Sequence, residues 1–206
     1  MELDQAALVT SAEQLEQLYP APSERAQLKQ IDHLDRHCQA FIEASPFFVL
    51  STCGNSGADC SPRGDASGAV CIADEKTLLI ADRRGNNRLD SLRNILDNPS
   101  VGLLFLIPGL NETLRVNGRA QISRDAALRA RFDVAGKLPA TVLVVRVDEA
   151  YIHCARALVR GGLWASREQA APVPSIGTIL AAHTQGKVDA REYDEQVAAH
   201  LHETLY

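Results

Sequence analysis

The stretch from Ala81 to Gly118, ADRRGNNRLDSLRNILDNPSVGLLFLIPGLNETLRVNG, decides how this chain folds. A Gly/Asn loop leads into an amphipathic helix, expected from about Asn87 to Asp97. Leu89, Leu92, Ile95 and Leu96 share one face of it, and Pro99 lies just beyond its end. Two strands follow, VGLLFLI and TLRVNGRAQIS, joined by a loop containing Pro108 and Gly109. The same stretch holds Arg83, Arg84, Arg88, Arg93 and Arg115, in a chain whose formal net charge is -5. That concentration of guanidinium groups beside a helix start suits one small anion, most simply a phosphate ester gripped by arginine forks and helix amides.

Outward from this stretch the pattern is mostly β. FFVLST, DCSPRG, GAVCIA, TLLIA, TVLVVRV and EAYIHC read as short strands, with CGNSGAD and DEK supplying turns. Six or seven strands with one helix crossing between them give a mainly β fold with flanking helices, expected as a closed or nearly closed antiparallel barrel. Ser11 and Gln14 fit a capping box for a first short helix. A longer helix is expected from about Ser23 to Ala44, with Leu28, Ile31, Leu34, Cys38, Phe41 and Ile42 along one face. DAALRARF is a further short helix. ARALVRGGLW, SIGTILAAH and AREYDEQVAAHLHETLY make a helical tail. The organisation is then a helical segment over 1–45, a barrel over 46–165, and a helical segment over 166–206 packing on the barrel.

At 206 residues and 46% hydrophobic, the chain can bury a substantial core. An isoelectric point near 5.7 excludes the basic face expected of a nucleic-acid binder. The N-terminus MELDQAALVT is acidic rather than basic-then-apolar, and no apolar run reaches the ~18 residues of a membrane span. A soluble, cytoplasmic protein is expected. Its five cysteines, Cys38, Cys53, Cys60, Cys71 and Cys154, have no C-x-x-C spacing and are expected as free thiols.

Chemistry concentrates in few places. RRGNNR has neither the P-loop nor the dinucleotide-fold glycine spacing, so it is not a nucleotide loop of either kind. Asn86 or Asn87 is a candidate cap for the following helix, leaving amides free for an anion. In SPRGD, Arg63 and Asp65 either pair with each other or project toward a ligand. His153 and Cys154 are neighbours on a strand and face opposite sides, which disfavours a nucleophile–base pair. His33 and His37 have i,i+4 spacing but no third ligand nearby, so a metal site is not expected. Trp164, the only tryptophan, follows Arg156 and Arg160, where it either packs in the core, covers an aromatic ligand or seals a subunit interface.

These segments, in this order from about Phe47 to Trp164, resemble the pyridoxamine 5'-phosphate oxidase-like flavoproteins, the FMN-binding split barrels. NPSVGLLF (Asn98 to Phe105) and VNGRA (Val116 to Ala120) are the most specific pieces. The resemblance implies an FMN-dependent oxidoreductase acting on a small molecule, with NAD(P)H as a candidate electron donor. It also implies a homodimer holding FMN between its subunits. By position, Arg63 would lie beneath the cofactor, and Arg83, Asn87, Arg88 and Ser91 would surround its phosphate. Thr113 would meet the flavin edge, Arg115 would add to the basic surroundings, and Arg160 and Trp164 would reach in from the second subunit. Two departures stand out. Ser91 occupies the place of a basic residue usual before the Asn-Pro helix, and no Arg-x-His segment follows Trp164, which argues against pyridoxamine phosphate as substrate. A deazaflavin or haem in the same fold, or flavin binding without turnover, are the alternatives.

Overall fold

A computed structural model describes residues 1–65, 70–166 and 173–204, the stretch 198–204 by backbone alone. Helices α1 (Ala12–Leu18), α2 (Glu24–Leu28) and α3 (Arg36–Ala44) precede strands β1 (Phe47–Gly54), β2 (Gly57–Gly64), β3 (Val70–Asp74) and β4 (Thr77–Ala81). Helix α4 (Asp90–Asp97) separates these from β5 (Ser100–Leu106) and β6 (Thr113–Ser123). Then come α5 (Ala126–Ala130), β7 (Val142–His153), α6 (Arg156–Gly161), α7 (Ile176–His183) and α8 (Ala190–Thr204).

The seven strands form one antiparallel sheet in the order β2-β1-β5-β6-β7-β4-β3. Period-two alternation drives it: Phe48, Leu50, Leu103, Phe105, Leu114, Val116 and Val145 all turn inward and are fully or almost fully buried. Phe48 and Phe105 are register partners, with ring centroids 5.3 Å apart. Each such side chain taken from water contributes about 1.5–3 kcal/mol. Of the two forms expected, a closed or a nearly closed barrel, the structure takes the second. The sheet remains open because β2 and β3, its two end strands, do not pair with each other, and side chains rather than a ladder join β2 to the far end of β4.

The expected helix over 23–44 is broken in two. Strand β7 runs beyond the reach of β4, and Ile31 leaves the helix to bridge Ala150 through N–H to carbonyl bonds of 3.0 and 2.8 Å. Satisfying that exposed strand edge outweighs one more helical turn. Asp35 then starts α3 afresh, its side chain accepting from the amides of His37 and Cys38. Leu34, Cys38 and Ile42 belong to the barrel core. TVLVVRV and EAYIHC likewise merge into the single strand β7, with a bulge opposite Asn117 and Gly118 absorbing the change of register. A Cβ on Gly118 would lie 2.2 Å from the Arg146 carbonyl oxygen, so only glycine permits this crossing.

Helix α4 is fastened to the β1–β2 hairpin by polar groups. Asn94, 2% exposed, donates from Nδ2 to Thr52 Oγ1 and to the Gly57 carbonyl, both at 3.2 Å. Its Oδ1 accepts from Ser56 Oγ at 3.2 Å. Gly54 makes the approach possible, since a Cβ there would stand 2.8 Å from Asn94 Cα. Among the described residues no helix is long and apolar enough to cross a membrane.

Candidate anion-binding pocket

The first turn of α4, thus anchored, forms one wall of a pocket of about 860 Å³. Strand β2 supplies a second wall from Asp59 to Gly64, and the loop from Asp82 to Leu89 a third, with Phe48 and Ile80 on its apolar side. It lies over the opening between β2 and β4.

Two ion pairs cross that opening. Arg63 on β2 donates from Nη1 to Asp82 Oδ1 at 3.0 Å, just past the end of β4. In the opposite sense, Arg83 donates from Nε and Nη2 to Asp65 Oδ2 at 2.9 and 2.8 Å. Arg83 also donates from Nη1 to the Phe132 carbonyl at 2.8 Å. Arg63 and Asp65 therefore do not pair with each other; each bonds across the gap. Arg63 reaches further, from Nη2 to Ser91 Oγ at 3.4 Å, and Ser91 in turn donates to Asp59 Oδ2 at 2.5 Å. Asp59, Ser61, Arg63 and Asp65 recur at two-residue spacing along β2, which puts them on one side of it.

The arginines are accordingly not a bare positive cluster. Arg63, Arg83, Arg84 and Arg88 share the pocket with Asp59, Asp65, Asp82 and Asp90. What remains to an incoming anion is narrower. Arg63 Nε is buried and has no hydrogen-bond partner among the described residues. Arg84 takes part in none of the ion pairs among the described residues. The N-terminus of α4 has no side-chain cap. The sequence offered Asn86 or Asn87 for that cap, but the loop runs on to Leu89. That residue takes a left-handed conformation (φ 61°), while Asn86 Oδ1 accepts from the Arg88 amide at 3.1 Å. Asn87 is also left-handed (φ 57°). Two non-glycine residues in this region store backbone strain of order 1–3 kcal/mol each, a condition usual at ligand-binding loops.

Arg63, Arg83, Asn87, Arg88 and Ser91 all line this one pocket. Arg88 Nε is on Asp90 at 2.8 Å and its side chain is 74% exposed. Arg63 and Arg83 are the less exposed guanidinium groups, at 21% and 17%. Thr113, Arg115, Arg160 and Trp164 are not in the pocket walls. Thr113 is the register partner of His153, and Arg115 Nη1 donates to Tyr151 Oη at 2.9 Å. Trp164 Nε1 donates to the Leu110 carbonyl at 2.8 Å, and Arg160 is in the last turn of α6. Of the four aspartates the sequence reading singled out only Asp65, although the alternation along DCSPRGD could also have revealed Asp59 as a neighbour of Arg63.

The family model described as pyridoxamine 5'-phosphate oxidase matches residues 34–154, more than half of the chain. The chain belongs to the pyridoxamine 5'-phosphate oxidase family. Its open seven-stranded sheet with flanking helices is consistent with that family's split barrel. Similar solved structures include HupZ from Group A Streptococcus, at 16% identity and TM-score 0.47, covering 56% of this chain and 90% of that one. General stress protein 26 from Bacillus anthracis is 21% identical, with TM-score 0.42 over 55% of this chain and 88% of that one. An FMN-binding protein from Syntrophomonas wolfei is 12% identical, with TM-score 0.43 over 56% of this chain and 88% of that one. The chain matches no curated protein.

Proposed function

We propose that this family member is an FMN-binding flavoprotein and an FMN-dependent oxidoreductase acting on a small molecule. The observation that carries the reading is the buried, unpartnered Nε of Arg63 in the pocket beside the uncapped start of α4. A phosphate oxygen there would satisfy a donor that otherwise costs about 1–3 kcal/mol to bury. Helix amides favour the same charge. The aspartates hold the arginine planes in place rather than opposing the ligand: Asp82 orients Arg63, and Asp65 orients Arg83. Arg84, exposed on the pocket wall, adds a guanidinium that is in no ion pair among the described residues. One compact anion subsite without a dinucleotide fingerprint suits FMN rather than FAD.

The residues present fit such a group. Bound FMN would supply the electron transfer, and this chain would bind its phosphate, orient it and exclude water. Family membership supports the cofactor. We further propose a C2 homodimer, in which Thr113, Arg160 and Trp164, away from the pocket of their own chain, would serve the site of the other. The test is the absorbance spectrum of the purified protein, with the mass of what it releases on denaturation. Flavin absorbance and release of FMN are expected; release of FAD, of haem or of no flavin overturns the reading. Bleaching by NADH or NADPH in stopped flow would mark turnover, and a flavin that neither donor reduces would mark a binder alone.

A further inference from the structure

A second group of cations gathers away from the pocket, around Tyr151 on the outer face of β6 and β7. Lys29 Nζ stands 5.3 Å from the Tyr151 ring centroid and donates to the Ile152 carbonyl at 2.8 Å. Arg115 lies 5.5 Å from the same centroid while holding the tyrosine hydroxyl. The His153 ring is 5.1 Å from the Tyr151 ring, and its Nε2 is buried with no hydrogen-bond partner. Among the described residues neither Lys29 nor Arg115 is in an ion pair. The nearby acid, Glu149, is already engaged by Gln30 and by Asn117.

We propose that Lys29, Arg115 and His153 form a second oxyanion site, which takes the carboxylate or phosphate group of a small-molecule ligand. Lys29 and Arg115 both lie against the Tyr151 ring, neither in an ion pair among the described residues, and a bound oxyanion supplies the counter-charge they lack, even on a chain of net charge -5. Tyr151 sets the geometry: its ring face attracts both cations, and its hydroxyl fixes the guanidinium plane. His153 Nε2 gains the partner it lacks when the imidazole turns a donor toward the anion. The local field agrees with this. Burial first, then Arg115 and Lys29, push the imidazole below its ordinary value. None of these residues lines the pocket, so the proposal stands whether or not the pocket holds FMN.

The test is an NMR titration of histidine-labelled full-length protein with inorganic phosphate and with acetate, the His153 signal being assigned from His153→Gln. Saturable shifts of that signal by either anion, with its pKa raised in the bound state, are expected. Arg115→Gln and Lys29→Gln should each weaken the apparent affinity tenfold or more. Arg124→Gln, an arginine elsewhere on the chain, should leave it unchanged. Tyr151→Phe keeps the ring and removes the hydroxyl, so it should weaken binding less than Arg115→Gln while leaving the fold intact. A His153 signal that responds to neither anion, or responds equally in wild type and Arg115→Gln, would overturn the proposal.

Discussion

Breaking the Arg63–Asp82 pair should loosen the two ends of the open sheet. The side chains are 21% and 16% exposed, so the pair is closer to a buried bridge than to a surface one. Removing one partner of a fully buried pair costs about 3–5 kcal/mol, whereas surface pairs contribute about 0–1 kcal/mol. Weighted toward the buried limit and discounted for the solvent that reaches both groups, Arg63→Met should cost about 2–3 kcal/mol. With a urea slope of about 2–3 kcal/mol/M for a chain of this size, the midpoint falls by roughly 1 M. Arg63→Met, Asp82→Asn and the double variant close a thermodynamic cycle. A coupling of about 1.5 kcal/mol or more is expected, because the carboxylate left by Arg63→Met is absent from the double variant. A coupling below about 0.5 kcal/mol would place the pair among ordinary surface bridges and refute the idea that it staples the opening.

Asn94→Ala removes both donors that tie α4 to the hairpin and leaves Thr52 Oγ1 and the Gly57 carbonyl without that partner. A loss of about 2 kcal/mol is expected in urea unfolding, with weaker ligand binding because α4 forms a pocket wall. Unchanged stability would show that apolar packing alone holds the helix. The Asp32 carboxyl is held down to about 2 from an ordinary 3.8, chiefly by its hydrogen bond from Lys76, then by that from His33. A depressed carboxylate stabilises the fold above its unfolded value. That contribution should therefore be intact at neutral pH and lost as pH falls from about 4 toward 2. Carboxyl NMR should find Asp32 titrating near that lower value and returning toward the ordinary range in Lys76→Met; an ordinary value in wild type would deny the contact.

Much of the barrel was legible because two periods declare themselves plainly. FFVLST and VGLLFLI alternate into buried register partners, and Leu92 and Ile95 mark the packed face of α4. The errors share a cause: pairing across long sequence separations is invisible to local pattern. Nothing near Ile31 announces that Ala150 will need a partner 119 positions away, so the helix over 23–44 read as continuous. The choice between a closed and a nearly closed barrel was hidden for the same reason: whether the first and last strands of the sheet meet depends on the path of all those between them. In the site, clustered arginines were visible but, Asp65 apart, their aspartates were not. Charge counted along the chain does not say which carboxylate will face which guanidinium. Arg88 drew attention by its place in the loop, whereas burial picks out Arg63 and Arg83.

The central claim is that this pocket reads a phosphate, and the difference between FMN and riboflavin tests it most directly. The two ligands share a ring and differ by one dianionic group. If Arg63 and the start of α4 hold that group, their charge-assisted bonds contribute about 2–4 kcal/mol, or roughly 30- to 1000-fold in affinity. Fluorescence titration of the flavin-free protein should therefore find FMN bound at least about 30-fold more tightly than riboflavin. Equal affinity for the two flavins would contradict the account.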